Sequence, residues 1–348
     1  MNTKIRVLVV DDSFLMRQIV SDIVNSDPEL EVIDKAKDGK EALEKVFELK
    51  PDVITLDVNL PLLDGLSVLE EVMKKQPTRV IMISAYTRVG ATSTLRALEL
   101  GALDFIAKPS GEISLDLNKL KDEIISKIKL AAKVELEKFV QPLLPPLQAA
   151  PEELRPLAMK KLVVIAASTG GPKAILDVMR DIPATVPAGF LIVQHMPIGF
   201  TLSFAERISW QSKIKAKEAE EGDIICPSKA YVAPAGYHMV VENAGGLYKV
   251  KLNKDQLVNF VRPAADVTMA SVAEVCVKPL IAVVLTGMGK DSLEGVRRIK
   301  EKGGFVIVQD EKTSVVWGMP KVVQDAGLAD MVLSVSEIAH AIVEKIQS

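Results

Sequence analysis

The chain has 348 residues, 48% apolar and 26% charged, a composition that excludes a disordered or fibrous protein and suits two globular domains. Its net charge of −3 is spread evenly: 24 acidic against 20 basic residues over 1–140, and 22 against 23 over the remainder. Neither half has the basic excess that binding a phosphate backbone demands, so nucleic acid is not an expected partner. The longest apolar runs, such as Leu162–Ala167 and Leu280–Leu285, hold six residues, whereas a membrane span needs roughly 20. Val7–Val10 runs straight into Asp11-Asp12, without the longer apolar stretch and small-residue cleavage site of a signal peptide. The two cysteines, Cys226 and Cys276, are expected to be buried reduced thiols, which puts the protein in the cytoplasm.

In chain order, Ile5–Val10 is a continuous apolar run, as in a strand covered on both faces, and Asp52–Leu56, Arg79–Ser84 and Leu103–Ala107 repeat the pattern. Helical patterns lie between them at Gly65–Lys75 and Thr92–Leu100, with a long one over Asp116–Lys138. The alternation of such strands with helices predicts a five-stranded, doubly wound parallel sheet. Between Pro142 and Pro156 there are five prolines in fifteen residues. Their fixed φ and missing amide donors predict a semi-extended linker, over 139–159, between domains at 1–138 and 160–348. Leu143, Leu144, Leu147 and Leu154 suggest that this linker packs on a domain or partner while letting the domains swing. Alternation then resumes with a strand at Leu162–Ala167, a helix from Pro172, a strand at Phe190–Gln194 and a helix from Phe200. Short β-runs and turn residues over 215–255 read as inserted hairpins. Helix Asp266–Val275, strand Leu280–Leu285, helix Ser292–Lys302 and strand Phe305–Gln309 complete a second doubly wound, mostly parallel α/β domain.

Open α/β sheets bind ligands at the carboxyl ends of their strands. In the N-terminal half those ends carry Asp11, Asp12 and Asp57, with Ser84 and Lys108 at two further strand ends. Crowded carboxylates repel and call for a counter-ion, and their hard oxygens suit Mg²⁺.

In the C-terminal half, Ala166-Ala167-Ser168-Thr169-Gly170-Gly171 joins a strand to a helix. A dinucleotide loop would need glycines where Ala166 and Ser168 stand, and an acid where the next strand ends in Gln194-His195. A helix N-cap by Ser168 or Thr169 competes with a nucleophile turn resembling the G-x-S-x-G elbow, with alanine at its first glycine. His195 follows the next strand and is placed to serve Ser168 as base, while His238 and His340 read as structural or surface residues. Asp291, after Leu280–Leu285, is either the acid that orients His195 or the N-cap of the following helix. Backbone amides of turn 286–289 could form an oxyanion hole.

The N-terminal half resembles a response-regulator receiver domain of flavodoxin-like fold, on VVDDS at 9–13, TLDVNLPLLDG at 55–65, ISA at 83–85 and KP at 108–109. That resemblance implies that Asp57 accepts a phosphoryl group from a chemotaxis histidine kinase. Asp11 and Asp12, with Asp57, would hold Mg²⁺, Lys108 would pair with the phosphate, and Ser84 would move to bind it. The whole of 3–346 resembles the CheB family of chemotaxis protein-glutamate methylesterases and glutamine deamidases. The motifs are AASTGGP (166–172), VQHMP (193–197), VAPAGYH (232–238), RPAAD (262–266), LTGMGKDS (285–292) and QDEKTSVVWGMP (309–320). One departure is Ser292, where a glycine is expected after the acid. This resemblance implies a Ser168-His195-Asp291 triad, with Thr169 and Met288 near the oxyanion site and no cofactor for the ester chemistry. It also implies a monomer that acts on cytoplasmic domains of methyl-accepting chemoreceptors, does not insert into the membrane, and is blocked by its unphosphorylated receiver. Other readings are a receiver-controlled serine hydrolase of a different ester, or a receiver with a DNA-binding output, which the charge disfavours.

Overall fold

A computed structural model describes residues 4–84, 88–108, 117–136, 158–277 and 279–348. The chain forms two compact units, Met1–Leu143 and Leu144–Ser348. Nearly all of the expected linker, together with Ala85 and Pro109 of the quoted motifs, lies outside the described residues. Among the described residues no helix is long and apolar enough to cross a membrane.

The N-terminal unit runs β1 (Ile5–Val10), α1 (Phe14–Asn25), β2 (Leu30–Ala36), α2 (Gly39–Leu49), β3 (Val53–Asp57), α3 (Gly65–Lys75), β4 (Arg79–Ser84), α4 (Arg88–Glu99), β5 (Asp104–Ala107) and α5 (Leu117–Ala132). The strands form one parallel sheet in the order β2-β1-β3-β4-β5. Helix starts are set by side chains that satisfy free amides: Asp38 accepts from the Lys40 and Glu41 amides, and Asp64 from that of Ser67. Helix α4 begins four residues before the apolar pattern suggests, and α5 ends at Ala132, short of the expected Lys138. The strand order reverses between β1 and β3, so Asp11 and Asp57 end the two strands that flank the switch point.

The C-terminal unit is built on seven strands in the order β14-β13-β12-β6-β7-β9-β8, all parallel. In chain order these are β6 (Lys161–Ala167), β7 (Ala188–Gln194), β8 (Lys215–Glu218), β9 (Lys229–Val232), β12 (Leu280–Val284), β13 (Phe305–Gln309) and β14 (Met331–Leu333). Helices α6 (Gly171–Asp181), α7 (Thr201–Gln211), α8 (Ala265–Val275), α9 (Leu293–Glu301), α10 (Met319–Asp325) and α11 (Val335–Gln347) connect or cover them. Leu162–Ala167 and all of β7 and β12 are buried, the consequence of helices on both faces and the reason these strands read as unbroken apolar runs. Each fully buried Leu, Val or Ile there contributes about 1.5–3 kcal/mol.

The 215–255 region corrects one expectation. A hairpin is present, β10 (His238–Ala244) with β11 (Leu247–Asn253), turning on Gly245-Gly246, both with positive φ. β8 and β9, however, are parallel neighbours on the sheet edge. Residues 219–228 carry the chain back so that β9 buries Ala230, Tyr231 and Val232 beside β7. Cys226 and Cys276 are also corrected: both are free, but only partly buried.

Candidate active site and phosphoacceptor pocket

The sheet order reverses at β6, with β7 on one side and β12 on the other. Ser168 follows β6, His195 follows β7 and the 286–291 turn follows β12, so three adjacent strand ends deliver the three residues. The Ser168 amide donates to Thr286 O (3.0 Å) and the His195 amide to Ala167 O (3.1 Å), tying the ends together. Gln194, buried at the end of β7, donates through Nε2 to both Ser168 O and His195 O, each at 2.9 Å. The Thr286 hydroxyl donates to Thr169 O (2.9 Å) and accepts from the Val316 amide (3.0 Å).

The Ser168 turn puts its positive φ on Gly170 (φ 75) rather than on Ser168, which separates it from the strained G-x-S-x-G elbow. A methyl group at Gly170 would lie 2.3 Å from Val315 Cγ2, and one at Gly287 would lie 2.8 Å from Ser168 Cβ. Both glycines are therefore required by close approach. Neither Ser168 nor Thr169 caps α6; its N-cap is Gly170, without a side-chain bond.

His195 Nε2 lies 2.8 Å from Asp291 Oδ2, which is 2% exposed. Asp291 is also gripped by three donors: the Ala265 amide (2.6 Å), the Asp266 amide (3.1 Å) and Asn259 Nδ2 (3.1 Å). Burial, the largest influence, pushes its carboxyl up, but the His195 contact and the α8 amides outweigh it and hold the group below the usual carboxylate range. Asp291 does not cap α9. That place belongs to Ser292, at φ 97, the left-handed region that favours glycine. The contact uses Nε2 of the ring, whereas in the usual Ser-His-Asp arrangement the acid holds Nδ1. His238 is a satisfied core residue, its Nε2 3.0 Å from Gln256 O and its Nδ1 accepting from the Ala264 amide, while His340 is exposed.

Gln194, Asn259 and Asp266 lay inside or beside quoted motifs without a role. Asn259 Nδ2 donates to Asp266 Oδ2 (2.8 Å) as well as to Asp291, and Asp266 Oδ1 accepts from the Gly295 amide (2.7 Å). Burial, reinforced by the Asp291 charge, raises the Asp266 carboxyl. Asn259 sits in a tight turn in which Val258 and Val261 exchange both backbone hydrogen bonds. Its central residues, Asn259 (φ 52) and Phe260 (φ 66), are both left-handed. For phenylalanine that conformation costs about 1–2 kcal/mol. Of the two residues expected at an oxyanion site, Thr169 is partly buried beside Ser168. Met288 is 52% exposed in a turn whose Gly287 amide is committed to Val316 O.

In the N-terminal unit Lys108 Nζ bridges Asp11 Oδ2 (2.8 Å) and Asp57 Oδ2 (2.7 Å). Asp57 is 1% exposed, and its Oδ1 is buried without a partner. Oxygens of Asp11, Asp12 and Asp57 lie within 4.8 Å of one another, a donor set of hard ligands that fits Mg²⁺. Burial chiefly, and the Asp11 charge, raise the Asp57 carboxyl against the pull of Lys108. Burial lowers Lys108, but its two carboxylate partners outweigh it and raise the ammonium. Ser84 is buried, its hydroxyl donating to Gly90 O (3.2 Å).

The chain is similar to known proteins along nearly its whole length. The CheB methylesterase family model covers residues 163–342, and the response regulator receiver domain model covers 7–118. The chain belongs to the CheB methylesterase family. A protein-glutamate methylesterase/protein-glutamine glutaminase of Pyrococcus abyssi is 50% identical over 349 residues, covering 99% of this chain and 94% of the relative. A protein of the same name from Thermotoga maritima is 44% identical over 340 residues, covering 98% of each. The crystal structure of the Thermotoga maritima CheB methylesterase catalytic domain aligns with a TM-score of 0.53 at 41% identity, over 54% of this chain and all of that one. A receiver joined to a CheB domain makes this chain a response-regulator methylesterase.

Proposed function

We propose that the chain hydrolyses glutamate γ-methyl esters on chemoreceptor cytoplasmic domains, and deamidates their glutamines, at a rate raised by phosphorylation of Asp57. The observation that carries the reading is the His195–Asp291 contact at 2.8 Å beside the Ser168 turn, at three adjacent strand ends. His195 Nδ1 takes the Ser168 proton as Oγ attacks the ester carbonyl. Asp291, held anionic by the α8 amides, orients the ring and balances its positive charge. Amides near Thr169 and Met288 receive the developing oxyanion. Collapse breaks the C–O bond, and the protonated His195 delivers its proton to the leaving methoxide, releasing methanol. Water, deprotonated by the same imidazole, then cleaves the acyl-enzyme to glutamate. A glutamine side chain follows the same course, with ammonia leaving.

Asp57 is the phosphoacceptor for a histidine kinase in this reading, and Asp11, Asp12 and Asp57 would hold Mg²⁺. Bound there, the ion would offset phosphoryl-group charge during transfer. Lys108 stands ready to pair with the phosphate, and Ser84 exchanges Gly90 O for a phosphoryl oxygen.

The test is methanol release from methylated receptor cytoplasmic fragments, with and without Mg²⁺ and a small phosphodonor. Ser168→Ala is expected to lower kcat by roughly 10⁴–10⁶-fold with the fold retained, and Asp57→Ala to abolish the response to the donor. Full activity in Ser168→Ala would remove the triad assignment. Release indifferent to the donor would remove the switch.

A further inference from the structure

Phe260 is 94% exposed. It occupies the second central position of the Val258–Val261 turn at φ 66, where a two-residue turn of this kind ordinarily places glycine. A bulky apolar side chain held in strained backbone and turned to solvent is a double cost to the fold, and such strain concentrates at functional sites. The other central residue, Asn259, faces the opposite way and places Nδ2 3.1 Å from Asp291 Oδ1 and 2.8 Å from Asp266 Oδ2. One turn therefore grips the triad acid with one residue and presents an aromatic ring outward with the next. A second exposed apolar side chain, Met288, rises from the turn whose Gly287 backbone packs against Ser168.

From this juxtaposition we infer that Phe260 is a substrate-contact residue that recognises the polypeptide carrying the esterified glutamate, and so sets specificity for a protein substrate. The inference rests on the esterase reading above and deepens it. The methyl group of the ester is a single carbon and cannot account for an exposed ring on the acid's own loop. The apolar surface that meets Phe260 belongs to the chain that bears the ester. An exposed aromatic side chain that becomes buried on association is the kind of residue that dominates protein recognition.

The experiment compares full-length protein with Phe260→Ala and Phe260→Gly on two substrates: a methylated receptor cytoplasmic fragment and free glutamate γ-methyl ester. With the fragment, KM is expected to rise about 10-fold or more, with kcat within about 3-fold. With the small ester kcat/KM stays level, and Phe260→Gly melts at a higher temperature because the strain is gone. An unchanged KM for the fragment would overturn the inference. So would an equal loss on both substrates, which would mean that the turn acts only through Asn259 on the triad. A rise in turnover without phosphodonor would assign Phe260 to restraint of the unphosphorylated enzyme instead. Wild-type protein that releases no methanol from the fragment would remove the esterase reading and the inference together, whereas wild-type turnover matched by both variants would remove the inference alone.

Discussion

At Ser292 a left-handed backbone (φ 97) carries a side chain that is fully buried and whose hydroxyl has no hydrogen-bond partner. The conformation costs a non-glycine residue about 1–2 kcal/mol, and an unsatisfied buried hydroxyl about 1–3. Glycine would remove both while adding roughly 0.4–1 kcal/mol of unfolded-state entropy. Ser292→Gly is therefore expected to stabilise the C-terminal unit by at least about 1 kcal/mol, a rise of roughly 2–4 °C or more in Tm. Since Asp291 keeps its four partners, kcat should stay within about 2-fold. A lower Tm in calorimetry would show that the hydroxyl is bonded after all. The glycine expected here from the family motif thus has a backbone reason. Other residues were not legible in that way. An acid after a strand is a recognisable signal for Asp291, but the amides of Gln194 and Asn259 have no sequence signature. Their value lies in reaching two groups that the fold brings together, Ser168 O with His195 O and Asp266 with Asp291.

Between elements, the decisive contact is the packing of the β12 turn on the β6 turn. A Cβ at Gly287 would stand 2.8 Å from Ser168 Cβ and 2.5 Å from Met319 Sδ, with little room for either to give. Gly287→Ala is expected to lower kcat about 10²-fold, because displacing a reacting group by about 1 Å has that effect, and to cost about 1–3 kcal/mol of stability from overpacking. Gly222→Ala is the control: φ is positive there too, but nothing lies within 4 Å of the added carbon. It should lose some stability and no activity, and comparable kcat losses in the two variants would sink the argument. Strand ends such as Ala167 and Gln194 were legible because a fully covered parallel strand is apolar throughout and stops abruptly at a polar or glycine-rich turn. Strand partners were not. β8 and β9 carry the short mixed pattern of a hairpin, and only the placement of β9 beside β7 makes them parallel. The start of α4 was not legible because an arginine and a glycine interrupt the apolar spacing over its first turn, RVGA at 88–91.

Taken as a whole molecule, the chain buries in its N-terminal unit a carboxylate, Asp57, whose charge disfavours the folded state. The Asp57 carboxyl is raised, by burial first and by the Asp11 charge, with Lys108 only partly opposing. A carboxyl raised in the folded state binds its proton more tightly there than in the unfolded chain, so stability is greatest below the unfolded value, near 4. It declines as pH rises through the folded value and stays lower above it. Asn is isosteric with the neutral acid and does not titrate. Asp57→Asn is therefore expected to be more stable than wild type at pH 7, with the gap closing as pH falls through the raised folded value toward about 4. Calorimetry of the full chain should place that change in the transition of the N-terminal unit and leave that of the C-terminal unit where it was. Mg²⁺ should narrow the gap from the other side, raising the wild-type midpoint through preferential binding to the folded state and raising that of Asp57→Asn less. The same variant should give methanol release that no longer responds to a phosphodonor, which ties the thermal and kinetic readouts to one carboxylate. Were Asp57→Asn less stable than wild type at pH 7, the Lys108 ion pair would outweigh burial. The pocket would then be a structural salt bridge rather than a charge-strained site relieved by Mg²⁺.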